Sequence, residues 1–123
     1  MLSLLLVSCQ QSSTSKQSSL NNISVQKVYT IQKTSNNPFT IIDVRTSEEF
    51  AEGHIDNALN IDVKSDQFTD EVKKLNPSKK YILYCRSGKR SAKAYGIMTD
   101  LNFESLYNME GGYLRYQEDI LNN

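Results

Sequence analysis

The chain has little of several residue types on which proteins commonly build function. It contains no tryptophan, two cysteines and a single histidine in 123 residues. Two cysteines cannot form a disulfide framework or supply the four ligands of a structural zinc site. One histidine leaves little room for a histidine-based metal centre. The chemistry is therefore expected to come from one or two side chains in a favourable local setting.

Net charge and long apolar runs are also absent. Lys and Arg together number 14, and so do Asp and Glu. Domains that bind nucleic acid through bulk electrostatics are usually markedly basic, so we expect no nucleic-acid partner. No apolar run approaches the roughly 20 residues that a membrane-spanning helix needs. The 38% of hydrophobic and 23% of charged residues, in a chain of this length, are typical of one globular domain.

The first 22 residues differ in composition from the rest of the chain. Residues 1–9 form a short apolar run that ends in Cys9, whereas residues 10–22 are almost entirely polar. The polar stretch cannot bury enough apolar surface to offset its ordering entropy, so we predict a flexible tether there. The folded domain is predicted over residues 23–123.

The segment that ends at Cys9 resembles a truncated bacterial lipoprotein signal. Leu6-Val7-Ser8-Cys9 is similar to the box in which the cysteine is acylated and becomes the mature N-terminus. The positively charged segment that usually precedes the apolar run is missing, so this interpretation requires a translation start further upstream. The resemblance implies a lipid anchor on Cys9 and a periplasmic or cell-surface protein. The alternative is an apolar tail on a cytoplasmic protein.

After residue 22, apolar residues recur with the periods of strands and helices in alternation. Four β-branched or apolar runs predict strands at Phe39–Val44, Ala58–Ile61, Tyr81–Tyr84 and Leu106–Met109. Amphipathic patterns and capping residues predict helices that begin near Val25, Thr46, Phe68, Ser91 and Tyr113. The alternation predicts an α/β fold: a mainly parallel central sheet of about five strands with helices on both faces.

Cys85 lies between a predicted buried strand and a predicted helix. Ligands bind at the carboxyl ends of strands in such sheets. A helix N-terminus and three nearby cations, Arg86, Lys89 and Arg90, favour a thiolate and predict a lowered pKa for the thiol. Gly88 permits a backbone turn in which successive N–H groups point inward as an anion-binding nest. The pattern predicts a nucleophilic thiolate that meets an anionic substrate, against the alternative of an inert buried cysteine.

The chain resembles the rhodanese-like sulfurtransferase domains from Ile23 to Leu121. The family's active loop is a cysteine followed by five residues ending in arginine and then a hydroxyl residue, and it is matched by Cys85 through Arg90 and by Ser91. The tryptophan often found in the family's final helix is absent. The other matching segments are Ile42-Asp43-Val44-Arg45, Glu49-Phe50, Gly53-His54-Ile55, Ala58 to Ile61 and Gly111-Gly112.

The resemblance implies a thiosulfate sulfurtransferase that works through a persulfide on Cys85. A small anionic donor such as thiosulfate would give its outer sulfur to the thiolate, and cyanide or a thiol would accept it. This chemistry needs no metal and no bound cofactor, and a monomer is expected. Arg90 is expected to turn inward onto the loop. The residues expected to bind the donor are Arg86, Ser87, Gly88, Lys89, Arg90 and Ser91.

Four residues near the predicted site have structural interpretations. The resemblance assigns Asp43 and Arg45 to the bracing of loops by ion pairing, and His54 to fixing a turn. Glu49 is explained by a capping box with Thr46, because a hydroxyl residue and a glutamate three positions later are typical of a helix start. We therefore expect His54 not to form a catalytic dyad with the cysteine.

Two other functions remain open. A small phosphatase or arsenate reductase of the same fold needs an arginine one residue further from the cysteine, so the position of Arg90 disfavours it. A non-catalytic sulfur-carrier or binding module is typical of relatives in which the cysteine is replaced, whereas Cys85 is intact.

Overall fold

The computed structural model describes residues 19–123. The predicted signal segment, Cys9 and most of the predicted tether lie outside this range and stay predictions. The strands are β1 (Asn22–Ile23), β2 (Phe39–Asp43), β3 (Leu59–Asn60), β4 (Lys80–Tyr84) and β5 (Ser105–Met109). The helices are α1 (Val25–Lys33), α2 (Ser47–Glu52), α3 (Phe68–Lys73), α4 (Lys89–Asp100) and α5 (Gly112–Tyr116), which a π-helical turn (Gln117–Leu121) follows.

The five strands form one parallel sheet in the order β1-β5-β4-β2-β3. Successive side chains of a strand point to opposite faces, and both faces are covered. Ile42 and Leu83 belong to one buried apolar cluster, and Ile41 and Ile82 belong to the other. The prediction of an α/β fold with a parallel sheet is thus confirmed. Because all strands run the same way, their carboxyl ends meet at one edge of the sheet.

The sheet begins earlier than the sequence predicts. Asn22 pairs with Asn108 in β5, and the backbone N–H of Asn108 donates to the carbonyl oxygen of Asn21 at 2.8 Å. The backbone N–H of Asn21 in turn donates to the Tyr95 hydroxyl at 3.3 Å. The predicted tether over residues 10–22 therefore extends too far, since its last two residues belong to the domain. These two residues join the domain through backbone hydrogen bonds to β5, and a prediction based on side-chain composition does not detect such bonds.

Local capping signals identify two helix starts correctly. The Ser24 hydroxyl accepts the Lys27 N–H at the start of α1. At the start of α2, Thr46 and Glu49 form the predicted capping box, in which each side chain bonds the other residue's backbone N–H. Among residues 19–123, no helix combines the length and apolar character needed to cross a membrane.

Candidate active site

Cys85 follows β4 directly at the carboxyl edge of the sheet, and its side chain is buried. The backbone of α5 closes over it, because the Tyr113 N–H donates to the carbonyl oxygen of Cys85 at 2.8 Å. Gly112 has a φ of 61°, and a Cβ there would collide with the backbone of Arg86 and Cys85. The second glycine of the Gly111-Gly112 pair is therefore required by a close approach of two backbone segments.

The loop after Cys85 curls around the sulfur. The Gly88 N–H donates to Sγ at 3.0 Å, and the Ser91 hydroxyl oxygen lies 3.4 Å from Sγ. The same hydroxyl lies 3.1 Å from the Gly88 carbonyl oxygen, so its proton has two acceptors within reach. Gly88 adopts a φ of 115°, which favours glycine and turns the chain into α4 at Lys89. The predicted nest is thus present, with the sulfur as its occupant.

Hydrogen bonds lower the pKa of the Cys85 thiol. Burial raises this pKa, but bonds from the Ser91 hydroxyl and from the N–H groups of Ser91, Gly88 and Ser87 outweigh burial. The predicted direction agrees, whereas the predicted cause was partly wrong. Arg86 and Lys89 are exposed and are not among the principal causes. Fixed N–H and O–H dipoles are therefore the main groups that favour the thiolate, and a Coulomb interaction between Arg90 and Cys85 accompanies them.

Arg90, which the sequence predicts to turn inward onto the loop, forms a bidentate ion pair with Glu49. Its two terminal nitrogens bind the two carboxylate oxygens of Glu49, at 2.6 Å and 2.9 Å. This bond lowers the pKa of Glu49 to about 2, against the opposing effect of partial burial and with smaller contributions from Thr46. A bidentate pair to a carboxylate is geometrically well defined, so Arg90 joins the first turn of α4 to the first turn of α2.

The Arg90–Glu49 pair was missed by the sequence reasoning. The capping box alone accounted for Glu49, and nothing in the local pattern of either segment indicates a partner 41 positions away. One carboxylate serves both contacts, since Oε1 of Glu49 also accepts from the Thr46 N–H at 3.3 Å. Glu49 therefore connects a helix cap with the arginine of the cysteine loop.

Asp43 and Arg45 form a buried ion pair at the end of β2. The Arg45 Nη2 lies 2.7 Å from Oδ2 of Asp43, and Nε lies 3.0 Å from Oδ1. Nη2 also donates to the carbonyl oxygen of Gly53 at 2.7 Å, and the guanidinium packs 4.5 Å from the centre of the Tyr113 ring. The Arg45 side chain thus ties β2 to the turn after α2 and to α5. This is the bracing that the resemblance implies.

Tyr84 adds a buried hydroxyl to this network. It immediately precedes Cys85, and its hydroxyl accepts the Ile55 N–H at 3.1 Å. Burial and the nearby Asp43 carboxylate raise the pKa of Tyr84 far above its ordinary range, so this hydroxyl stays protonated. The end of β4, which precedes Cys85, is therefore held both by the backbone pairing of the sheet and by the Tyr84 side chain.

His54 makes only turn contacts in the structure. Its Nδ1 lies 2.9 Å from the carbonyl oxygen of Phe50, and its ring stacks on the Phe50 ring with centroids 3.6 Å apart. The side chain is exposed, and both of these contacts lie between the turn after α2 and Phe50 of that helix. Within residues 19–123, moreover, no group of three or more His, Cys, Asp or Glu side chains is placed to hold a metal ion.

A pocket of about 300 Å³ lies beside the cysteine loop. Arg86, the residue after Cys85, forms part of its wall, whereas Cys85 itself does not. One member of each ion pair described above also lines it: Arg45, which is bound to Asp43, and Glu49, which is bound to Arg90. The sequence reasoning did not predict this pocket, because its wall combines residues from three separate segments. The remaining lining residues are Glu52, Gly53, Tyr113, Leu114 and Gln117.

Comparison with known proteins gives consistent matches over the domain. The family model described as "Rhodanese-like domain" matches residues 24–119. A tRNA uridine(34) hydroxylase from Buchnera aphidicola subsp. Acyrthosiphon pisum is 38% identical over 88 residues, which cover 67% of this chain and 26% of that protein. The chain thus spans about a quarter of the length of the hydroxylases it matches.

Two further matches span most of both partners. A Schizosaccharomyces pombe protein named "Putative thiosulfate sulfurtransferase, mitochondrial" is 32% identical over 120 residues, covering 82% of each chain. The crystal structure of a rhodanese-related protein from Thermoplasma volcanium superimposes with a TM-score of 0.71 at 29% identity, covering 81% of this chain and 93% of that one.

Proposed function

The chain belongs to the rhodanese-like domain family, and on that premise we propose that it is a sulfurtransferase that works through a persulfide on Cys85. The observation that carries the proposal is the loop around the thiol. A buried sulfur with a lowered pKa accepts the Gly88 N–H at 3.0 Å and lies next to the Ser91 hydroxyl. These groups favour a thiolate, the form in which a cysteine acts as a nucleophile.

In the first half-reaction, the Cys85 thiolate attacks the outer sulfur of an anionic donor such as thiosulfate. A bond forms between Sγ and that sulfur, and the sulfur–sulfur bond of thiosulfate breaks. Its electron pair leaves with sulfite, so no external oxidant or reductant is needed. The Gly88 N–H and the Ser91 hydroxyl, which stabilise the thiolate, are next to the negatively charged persulfide as it forms.

In the second half-reaction, an acceptor attacks the outer sulfur of the persulfide. With cyanide, a carbon–sulfur bond forms, thiocyanate leaves, and the electron pair of the broken bond returns to Sγ. Cys85 leaves as a thiolate, and the same donors that lower its pKa make it a better leaving group. One set of hydrogen bonds thus assists both steps.

The Arg90–Glu49 pair argues against the phosphatase alternative. An arginine that binds a tetrahedral oxyanion must present its guanidinium to the loop, whereas both terminal nitrogens of Arg90 are bound to Glu49. The named function of the S. pombe relative favours sulfur transfer.

Parallel assays on wild type and Cys85→Ser test the proposal. Wild type should form thiocyanate from thiosulfate and cyanide and should release no phosphate from an aryl phosphate. Cys85→Ser should lose at least about 10³-fold in turnover, because a hydroxyl is a far weaker nucleophile than a thiolate. Its melting temperature should stay close to that of wild type.

Three results would overturn the proposal. Thiocyanate formation by Cys85→Ser at nearly the wild-type rate would exclude the persulfide mechanism. Aryl-phosphate hydrolysis that depends on Cys85 would favour a phosphatase. A wild-type domain that turns over neither substrate would favour a binding module.

A further inference from the structure

Helix α5 begins against the cysteine loop and supplies N–H groups that have no acceptor within the helix. The first N–H groups of any helix are left free in this way. In α5, the Tyr113 N–H donates to the Cys85 carbonyl oxygen at 2.8 Å, and the Leu114 N–H donates to the Arg86 carbonyl oxygen at 3.1 Å. Both acceptors are backbone groups, so these bonds act on the path of the loop itself.

The start of α5 is held firmly in place. A Cβ on Gly112 would collide with the Arg86 carbonyl group, so the loop and the helix are already as close as their backbones allow. The Tyr113 ring packs under the Arg45 guanidinium, 4.5 Å from the ring centre, and Arg45 is bound in turn to Asp43. The first turn of α5 is therefore a fixed support for the loop.

The bond from Leu114 also sets the direction of the next N–H group in the loop. The carbonyl oxygen of Arg86 and the N–H of Ser87 belong to one planar trans peptide unit, so they point in opposite directions. With the oxygen bound to α5, the Ser87 N–H points away from α5 and towards the sulfur. In agreement with this geometry, the Ser87 N–H is one of the donors that lower the pKa of the Cys85 thiol.

The adjacent donor is independent of this bond. The Gly88 N–H, which donates to Sγ at 3.0 Å, belongs to the next peptide unit. The carbonyl oxygen of that unit is the one of Ser87, and α5 gives it no hydrogen bond in the described part of the chain. The loop therefore contains one donor that α5 orients and one that it does not.

We propose that Leu114 is a positioning residue for sulfur transfer: its backbone N–H holds the Arg86 carbonyl oxygen and thereby aims the Ser87 N–H at Sγ of Cys85. Without the Leu114 N–H, the peptide unit between Arg86 and Ser87 is free to rotate, and the thiolate loses one donor. The effect on sulfur transfer rests on the proposed function, whereas the arrangement itself is testable on the resting thiol.

Leu114→Pro tests the proposal, because proline has no backbone N–H. The first turn of a helix tolerates this loss, since its N–H groups are not used within the helix. Leu114→Ala is the matched control, because it removes the half-exposed side chain and keeps the N–H. Alkylation by iodoacetamide should be followed against pH in the full-length protein, by the mass of the peptide that contains Cys85. The pKa of Cys85 should rise in Leu114→Pro and stay at the wild-type value in Leu114→Ala.

The shape of the pH profile distinguishes positioning from general damage. Below the wild-type pKa, alkylation and persulfide formation from thiosulfate should each slow about tenfold in Leu114→Pro, the effect of one lost hydrogen bond to a charged group. Above the raised pKa, alkylation should be at least as fast as in wild type, because a thiolate of higher pKa is intrinsically more nucleophilic. All charged side chains of the loop and of the segments packed against it stay the same: Arg45, Glu49, Arg86, Lys89, Arg90 and Arg115.

NMR identifies the donor through which Leu114 acts. In wild type and Leu114→Ala, the amide proton signals of Ser87 and Gly88 should both shift as the Cys85 thiol titrates. In Leu114→Pro, the Ser87 shift should shrink and the Gly88 shift should persist. If the proline variant does not fold, a backbone ester at position 114, introduced with the α-hydroxy acid analogue of leucine, removes only the N–H and should give the same results.

Three outcomes would overturn the positioning role while leaving sulfur transfer intact. One is an unchanged Cys85 pKa in Leu114→Pro or in the ester variant. Another is alkylation that slows equally at every pH. The third is a Ser87 signal that still follows the titration as it does in wild type. A wild-type Cys85 that gains no sulfur from thiosulfate would instead contradict the proposed function, and the alkylation and NMR results would not depend on it.

Discussion

Two neighbouring strands, β2 and β4, end at the same edge of the sheet. The residues at the end of β2 are stabilised by an ion pair, and the residue after β4 is stabilised by uncharged hydrogen-bond donors. Asp43 and Tyr84 are register partners at these two ends. Beyond β2, full charges are buried as a pair between Asp43 and Arg45. Beyond β4, the Cys85 thiolate is favoured by uncharged N–H and O–H donors. In this molecule the charged side chains brace the edge, and backbone and hydroxyl dipoles lower the pKa of the thiol.

The difference follows from what each group must do. A buried ion pair is held by its partners and resists rearrangement, because separating the charges leaves one of them uncompensated. Under the proposed function the thiolate gains and releases a sulfur atom, so it needs donors that serve both states without binding it permanently. The Glu49–Arg90 pair extends the first principle to the loop itself, since a carboxylate of α2 holds the arginine of the cysteine loop in place.

Asp43→Asn should have the largest effect on stability. It leaves the buried Arg45 guanidinium without its carboxylate partner, and we expect a loss of about 3–5 kcal/mol in the free energy of unfolding. Urea denaturation measures this loss. Asp66→Asn, at an exposed site, is the control and should stay within about 0.5 kcal/mol of wild type. An equally small effect of Asp43→Asn would contradict the bracing role.

Glu49→Gln should have a smaller, pH-dependent effect. Glutamine still completes the capping box, so the change removes the charge that binds Arg90. Because folding lowers the pKa of Glu49 to about 2 from 4.5, the ion pair stabilises the fold above the unfolded-state value and loses this effect as pH falls towards 2. For a partly exposed pair we expect about 1–2 kcal/mol near neutral pH.

Urea denaturation at several pH values checks this expectation. The stability difference between wild type and Glu49→Gln should be greatest near neutral pH and should vanish below the folded-state pKa of about 2. Glu48→Gln is the control, because the Glu48 side chain is exposed on the same helix and forms no ion pair in the described part of the chain. A difference that does not depend on pH would show that the Arg90 contact is not electrostatic.

Ser91→Ala should raise the pKa of the Cys85 thiol toward the value of a free cysteine, about 8.5. The rate of alkylation by iodoacetamide as a function of pH reports this pKa. Ser87→Ala is the matched control, since Ser87 contributes only its backbone N–H. Arg86→Gln and Lys89→Gln should also change this pKa less than Ser91→Ala does. If either charge removal had the larger effect, cations rather than dipoles would activate the thiol.

The fold could be predicted wherever its signals are local. The β-branched run at Phe39 to Val44 and the capping box at Thr46 and Glu49 are contained in a few adjacent residues, and both prove correct. Strand β1 was not predicted, because two residues are too few to show a period. Asn22 is polar, so by composition it belongs to the polar stretch before it. Only the pairing with β5 defines these two residues as a strand.

The site was predictable in its sequence order but not in its side-chain directions. Cys85, Gly88 and Ser91 lie three positions apart in one short segment, so the loop that they form follows from their spacing. The direction of Arg90 depends on Glu49, and the pocket depends on Glu52 and Leu114 meeting Arg86. These contacts form only when α2, α5 and the cysteine loop pack together, and no local pattern encodes them.

The most direct test of the central claim is the mass of Cys85 after treatment with thiosulfate. The full-length protein should gain the mass of one sulfur atom on the peptide that contains Cys85, and not on any peptide that contains Cys9. Addition of cyanide should remove this sulfur, and Cys85→Ser should never acquire it. An unchanged Cys85 mass under conditions in which wild type produces thiocyanate would contradict the persulfide mechanism.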